Sequence, residues 1–227
     1  MRSGIARYDG HADWYDETFS ASVHEEQTSF LRESLGQGGG QICLDVACGT
    51  GRYGQILAEA GYRAVGFDIS ADQLRFAGRR LGAAVRADAR FLPVRDGSVA
   101  MAAGMFFHTD VEDFAAVVHD VARCLRPGGR FVYLGVHPCF VGPFVTRLTE
   151  DEDLTLSFVP GYGTNGWASR GSGDGSRIGG RVGFHHKSLA SFLAAFAGAG
   201  LAIRAAREFS VPGHVVLPWD IGVVTEK

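Results

Sequence analysis

Two periodicities take turns along this chain: apolar runs of strand length, and longer stretches in which apolar residues recur every three or four positions. Ile42 to Val46 reads as a buried strand, and Tyr53, Ile56, Leu57 and Ala60 place one apolar face on a helix that Gly61 closes. Arg63 to Phe67 is a second strand, ending at Asp68, followed by a helix over Ala71 to Leu81 and a brief strand over Ala84 to Arg86. Val99 to Phe106, V-A-M-A-A-G-M-F, is almost wholly apolar, as a strand buried on both faces should be. Asp110 or Asp113 opens a helix over Phe114 to Leu125, which Pro127, Gly128 and Gly129 stop and turn into a fifth strand, Arg130 to Val136. Ser188 to Ala199 carries Leu189, Phe192, Leu193 and Phe196 on one helical face, and Leu201 to Phe209 and Asp220 to Thr225 read as the last two strands.

Two stretches depart from this rhythm. Tyr8 to Phe19, Y-D-G-H-A-D-W-Y-D-E-T-F, sets aromatic residues beside carboxylates, and a polar helical segment runs from about Ser22 to Leu35. Residues 138–183 hold the acidic run Glu150 to Asp153, the aromatics Phe158, Tyr162 and Trp167, and nine glycines between Gly161 and Gly183. Such a segment is expected to bury little surface, and a long insertion above the strand ends of an α/β scaffold often carries function. It reads as a mobile substrate flap.

The candidate chemistry starts at Cys43 to Gly54, C-L-D-V-A-C-G-T-G-R-Y-G. Gly49 and Gly51 lack a Cβ, so the backbone can turn tightly and lie against a ligand, while the N–H groups opening the next helix point into the same space. Gly49 to Gly54 also satisfies G-x-G-x-x-G, so an NAD(P)-dependent oxidoreductase is one reading. Asp45 speaks against it, because an anion at the mouth of the loop is poorly placed beside a pyrophosphate and well placed beside a cation. S-adenosylmethionine carries an ammonium and a sulfonium. The sequence resembles the class I S-adenosylmethionine-dependent methyltransferases, whose first motif, acid-x-x-x-G-x-G, is matched by Asp45, Gly49 and Gly51.

The resemblance extends further. Asp68 in G-F-D-I-S matches the second motif, in which the carboxylate accepts the ribose hydroxyls and Ile69 is the apolar plate against adenine. Asp88-Ala89 with Leu92-Pro93 matches D-A-x-x-L-P, whose acid accepts from the adenine amino group while the next backbone N–H donates to a ring nitrogen. L-R-P-G-G-x-F at Leu125 to Phe131 is a structural likeness, whereas Ala100 stands where many relatives have an aspartate. The resemblance implies an α/β, Rossmann-like, seven-stranded and mostly parallel sheet with helices on both faces and the last strand antiparallel. It implies an N-terminal lid over residues 1–40 and an S-adenosylmethionine-binding domain over 41–227, with the flap at about 138–183. The cofactor site is expected at Tyr15, Asp45, Ala47, Gly49, Gly51, Asp68, Ile69, Asp88, Ala89 and Met105, with S-adenosylhomocysteine as product. Tyr8, Trp14, Phe140, Tyr162 and Trp167 are expected on the substrate side.

A hydroxyl acceptor gains from a general base, and histidine takes a proton near neutral pH. Ligands in open α/β sheets sit beyond the carboxyl ends of the strands, which favours His108 and His137, with His185 and His186 after the flap as further candidates. No metal-ligand spacing occurs, so metal independence is expected. Cys43, Cys48, Cys124 and Cys139 lack C-x-x-C spacing and read as reduced packing thiols. Arg147, Arg170 and Arg181 are candidates to hold an acidic substrate.

At 227 residues with a net charge of -3, the chain fits one α/β domain and offers no basic field for nucleic acid. No apolar run is long enough to span a bilayer and the first residues lack a signal-peptide core, which points to the cytoplasm. The expected function is methyl transfer to a small molecule, at oxygen first and then nitrogen or carbon, in specialised metabolism. The third reading, beside the oxidoreductase, is a cofactor-binding protein of the same fold that transfers no methyl group.

Overall fold

The computed structural model describes residues 6–19, 24–150, 153–168, 178–210 and 217–227. Helices α1 (Ala12–Phe19) and α2 (Glu25–Leu35) precede β1 (Ile42–Val46), α3 (Gly54–Glu59), β2 (Arg63–Asp68), α4 (Ala71–Arg80), β3 (Ala83–Arg86) and β4 (Val99–Met105). Then come α5 (Phe114–Cys124), β5 (Leu125–Val136), the hairpin β6 (Val145–Glu150) and β7 (Asp153–Phe158), β8 (Gly166–Ala168), α6 (Ile178–Val182) and β9 (Phe184–His186). Helix α7 (Leu189–Gly198), β10 (Ala202–Ser210) and β11 (Pro218–Glu226) complete the order.

Seven strands form one sheet in the order β10-β11-β5-β4-β1-β2-β3. From β5 to β3 all neighbours are parallel, and β11 runs antiparallel to both β5 and β10. The period of two along each strand divides the core. Leu44, Val46, Phe131 and Tyr133 face a layer built by Phe114, Val117, Val121, Phe192 and Phe196 of α5 and α7. Cys43, Met101, Val132 and Leu134 face the opposite layer of Phe30, Leu31, Ile56, Leu57 and Ala77 from α2, α3 and α4. Side-chain caps start three helices, with Ser70, Asp113 and Ser188 accepting from the N–H groups of Gln73, Ala116 and Ser191. Asp113, and not Asp110, therefore opens α5.

Three local differences from the sequence reading have physical causes. The fifth strand begins at Leu125, where it pairs with Val99, and the Pro-Gly-Gly turn sits inside it as an irregularity of the ladder. The N-terminal residues divide in two: α2 packs its Phe30 against Phe209 in the sheet layer, while residues 6–15 reach the strand ends. The insertion has more structure than its glycine content suggests. Phe144 is 2% exposed and gathers the rings of Phe158, Tyr162 and His186 around it, and Val182 and Phe184 are also buried. Arg170, the middle of the acidic run and the start of the Ser22 segment lie outside the described residues, as does the side chain of Arg147.

The chain winds from β1 through β2 to β3 in one direction and then crosses back to β4 and β5 on the other side of β1. The two loops leaving β1 and β4 therefore diverge and leave a crevice between them. The loop after β1 is held tightly. Gly51 has φ +72°, and a Cβ there would come within 3.0 Å of the Cα of Ala77 in α4. Gly51→Ala is therefore expected to strain the backbone and push on a helix at once, at a cost of about 1–3 kcal/mol. Thermal melting should read this as a fall of roughly 2–12 °C, at about 2–4 °C per kcal/mol for a chain of this size.

Candidate active site

The crevice holds a cavity of about 350 Å³. Its floor comes from the end of β1 (Asp45, Ala47, Gly49, Thr50), its sides from the ends of β2 and β3 (Asp68, Ile69, Asp88, Ala89) and from the β4 loop (Met105 to Phe107 and Asp110 to Glu112). Tyr8, Tyr15 and His185 close it from elsewhere in the chain. Nine of the ten expected cofactor positions meet on this one surface. Gly51 does not, because its missing Cβ makes room for α4 behind the loop.

The backbone is bent to shape this space. Ala47 and Phe106, just past the ends of β1 and β4, have φ of +53° and +58°, a region that non-glycine residues rarely occupy. Phe106 stacks on Tyr53, and the Arg52 guanidinium lies 4.7 Å from the Tyr53 ring centre. Such strain is held only where its surroundings over-determine it, and it gathers at functional sites.

Polar groups in the cavity are poorly satisfied by the protein. Among the described residues, the buried side-chain atoms without a hydrogen-bond partner are both oxygens of Asp45, the Thr50 hydroxyl, Nε of Arg52 and both amide atoms of Gln73, and all four residues line this cavity. A buried unpaired polar group costs about 1–3 kcal/mol, and more when charged. Asp45 is 1% exposed, and burial, reinforced by the neighbouring Asp68, raises its pKa to about 8. Asp68 accepts from the Gly49 and Ser70 N–H groups at 2.8 and 2.9 Å, and burial still lifts its proton affinity. Asp88 is clamped by the Arg90 guanidinium at 2.6 Å. Cys48 lines the wall with its thiol pushed far up by burial.

The histidines fall out differently from the sequence expectation. His108 is buried among Phe114, Tyr133 and Phe192, sharing a hydrogen bond with the Tyr133 hydroxyl, and burial drives its proton affinity well down. His137 donates from Nε2 to Glu208 and accepts at Nδ1 from the Cys139 N–H, so both ring nitrogens are used. His186 donates to the Tyr162 carbonyl and packs on Phe144. Only His185 lines the cavity. Its Nε2 accepts from Arg7 at 3.3 Å, and burial together with Lys187 and Arg7 lowers its pKa to about 4.

The expected substrate side also divides. Tyr8 lines the cavity, whereas Phe140 packs on His137, and Tyr162 accepts the Leu189 N–H that opens α7. Trp14 lies under Arg181 at 4.1 Å, and Trp167 lies under Arg7 at 4.4 Å and beside His185. Residues that the sequence reading passed over are present instead: Arg7, Arg52, Gln73, Arg90, Phe106 and Asp110 all face the cavity. Arginine beside the second loop glycine and an acid five residues beyond β4 were their only signals.

Comparison with known proteins bears on this geometry. Residues 44–133 match the family model described as a methyltransferase domain. The crystal structure of an S-adenosylmethionine dependent methyltransferase from Mesorhizobium loti superposes with a TM-score of 0.72 and 25% identity, covering 88% of this chain and 96% of that one. The family match and the superposition support a class I S-adenosylmethionine-dependent methyltransferase fold and family for this chain. It is 30% identical over 161 residues to the candidate methyltransferase YqeM of Bacillus subtilis, covering 65% of this chain and 64% of that protein. It is 32% identical over 151 residues to the demethylmenaquinone methyltransferase of Renibacterium salmoninarum, covering 64% and 63%. The chain thus spans less than two thirds of the length of these relatives.

The residues present fit the family's cofactor. Asp45 is an orphaned buried acid suited to an ammonium, the unpaired Nε of Arg52 is suited to a carboxylate, and Asp68 offers acceptors for paired hydroxyls. The Asp45 charge has a consequence for stability. An acid whose pKa rises on folding keeps its proton in the native state where the unfolded chain has released it, so stability falls as pH rises from about 4 to about 8. Asp45→Asn is therefore expected to melt several degrees above the parent at pH 8 in ligand-free protein, while losing most of the melting shift produced by S-adenosylhomocysteine. Melting curves at pH 6 and pH 8, with and without that ligand, check both halves.

Proposed function

We propose that this chain transfers a methyl group from S-adenosylmethionine to a small molecule, with a hydroxyl oxygen as the first-choice acceptor. The observation that carries the reading is the set of unpaired buried polar atoms concentrated in one cavity at the strand switch point, with an acid at Asp45 that a cation would hold ionised and a guanidinium at Arg52. A zwitterionic end group satisfies both, whereas the pyrophosphate of a nicotinamide dinucleotide meets Arg52 and leaves Asp45 unpaired. The demethylmenaquinone methyltransferase among the relatives is named for a small-molecule acceptor, which agrees with this reading.

When bound, S-adenosylmethionine supplies a methyl carbon that is electrophilic because it sits on a sulfonium. The work left to the protein is positioning, which can contribute roughly 7–11 kcal/mol of the barrier. Asp68 and the Gly49 N–H fix the loop that receives the nucleoside end, and Ile69, Ala89 and Met105 supply apolar walls. Tyr8 and Tyr15 pack edge to face over the opening and exclude water.

The N-terminal residues and the insertion act as lid and flap in this proposal. Two arginine–tryptophan contacts join them in opposite senses, Arg7 on Trp167 and Arg181 on Trp14, each worth about 0.5–1 kcal/mol at an exposed site. Contacts of that size can hold a closed state and still open for exchange. Among the described residues no helix is long and apolar enough to cross a membrane.

Calorimetric titration with S-adenosylmethionine, S-adenosylhomocysteine and NADH tests the cofactor, followed by transfer of labelled methyl to a panel of phenols, enols and hydroxy acids. Binding of NADH alone would overturn the proposal. Asp68→Ala should weaken S-adenosylhomocysteine about ten- to a hundredfold, the loss of one or two hydrogen bonds to a charged group, with an unchanged circular dichroism spectrum. Unchanged affinity would remove the nucleoside role from Asp68.

A further inference from the structure

Asp110 stands apart from the other acids of the cavity. It lies in the loop after β4, faces the cavity, and among the described residues uses only one carboxylate oxygen: Oδ1 accepts from the Tyr8 hydroxyl at 2.9 Å, and Oδ2 has no partner there. The loop that carries it is pinned along its whole length. The carbonyls of His108 and Val111 both accept from Lys187 Nζ, at 2.9 and 2.7 Å. The carbonyl of Thr109 accepts from the His185 N–H at 2.7 Å, and that of Asp110 itself from the Arg7 guanidinium at 2.5 Å. Four consecutive carbonyls are thus held by two segments distant in sequence, so the side chain between them is fixed with little freedom. Lys187 donates to backbone carbonyls and Arg7 to the Asp110 carbonyl and the His185 ring, and among the described residues neither cation forms an ion pair with the carboxylate.

On the reading that this cavity transfers a methyl group, we propose that Asp110 is the general base for a hydroxyl acceptor and that Tyr8 is the residue that positions it. Oδ2 takes the acceptor O–H proton while the acceptor oxygen bonds to the methyl carbon. The carbon–sulfur bond breaks, its electron pair goes to sulfur, and S-adenosylhomocysteine is left. The methylated acceptor is neutral, and the proton remains on Asp110 until solvent takes it. The acceptor class is a hydroxyl that is un-ionised at neutral pH, an alcohol or phenol, because an acceptor already ionised has no use for this group.

The groups around Asp110 set its proton affinity. Burial raises it and the Tyr8 hydrogen bond, Arg7 and Lys187 lower it, while Asp68 raises it further, which leaves the pKa at about 7. Glu112, Asp113 and His185 stand around the same two cations. A base poised there is deprotonated as pH rises through 7, so methyl transfer is expected to climb over that range. His185, with a pKa of about 4, is too weak a base to share the task.

The experiment combines two readouts on parent, Asp110→Asn and Tyr8→Phe. The first is the titration of aspartate carboxyls by carbon-13 NMR in protein bound to S-adenosylhomocysteine, with the Asp110 signal found by its loss in Asp110→Asn. A midpoint near 7 that moves upward in Tyr8→Phe is expected. A midpoint below 5, or one that Tyr8→Phe leaves in place, overturns the proposal whether or not an acceptor has been found. The second is transfer of labelled methyl to the acceptor that the panel identifies. Asp110→Asn should bind S-adenosylhomocysteine with the parent's affinity by calorimetry, transfer methyl about a hundred- to ten-thousandfold more slowly, and lose the rise with pH. Unchanged rate and pH profile with ligand binding intact overturn the base assignment alone. Failure of the parent to bind S-adenosylhomocysteine overturns the methyltransferase reading and the assignment with it. If Asp110→Asn does not fold, Tyr8→Phe decides: an acid limb displaced to higher pH supports the proposal, and an unmoved limb refutes it.

Discussion

A carboxylate with no partner inside a folded protein is the constraint around which this molecule is arranged. Asp45 lies on β1, an interior strand of the sheet, 1% exposed, with neither oxygen bonded. It stays there because β1 is paired on both sides, by β2 and β4, and cannot shift to let water in. The cost of that placement, and of the positive φ at Ala47 and Phe106, is borne by two apolar layers that run the length of the sheet. Removing the charge should stabilise the free protein and weaken its function, the trade-off expected where a site is built against stability.

How much of this was legible follows from how local each signal is. The elements from β1 to β5 and the acids Asp45, Asp68 and Asp88 sit in short segments whose conformation is set by neighbours within a few residues, so their positions could be placed from the chain alone. The histidines could not. The strand-end rule places a residue near a cavity but says nothing of where its side chain points, and the left-handed turn at Phe106 precedes a His108 that packs into the aromatic layer and not into the crevice. Asp110 was hidden for the opposite reason. In sequence it competed with Asp113 as a helix cap, and only the hydrogen bond from the Ala116 N–H to Asp113, seen in three dimensions, releases it for another role.

The insertion illustrates the limit of composition. Nine glycines suggest a segment without a core, but a satellite core needs few residues when they are rings, and Phe144 collects three of them. Contacts between residues more than about a dozen positions apart leave no trace in a local window. Tyr162, expected to meet a substrate, instead supplies an acceptor for the first N–H of α7 and so ties the insertion to the body of the fold.

The N-terminal stretch joins the two ends of the cavity through a short covalent path. Asp9 accepts from the Ser70 hydroxyl at 2.6 Å, and Asp72 accepts from the Gly10 and Ala12 N–H groups, which fastens residues 9–12 to the start of α4 beside Asp68. One and two residues earlier, Tyr8 and Arg7 hold the Asp110 loop and reach Trp167 in the insertion. Six residues therefore span from the nucleoside end of the site to the group placed to handle the acceptor proton. A ligand that orders the α4 end restrains the same peptide units that orient Asp110, and one that displaces Trp167 loosens them. Coupling of this kind needs no distant pathway, because the connection is a single continuous strand of hydrogen-bonded residues.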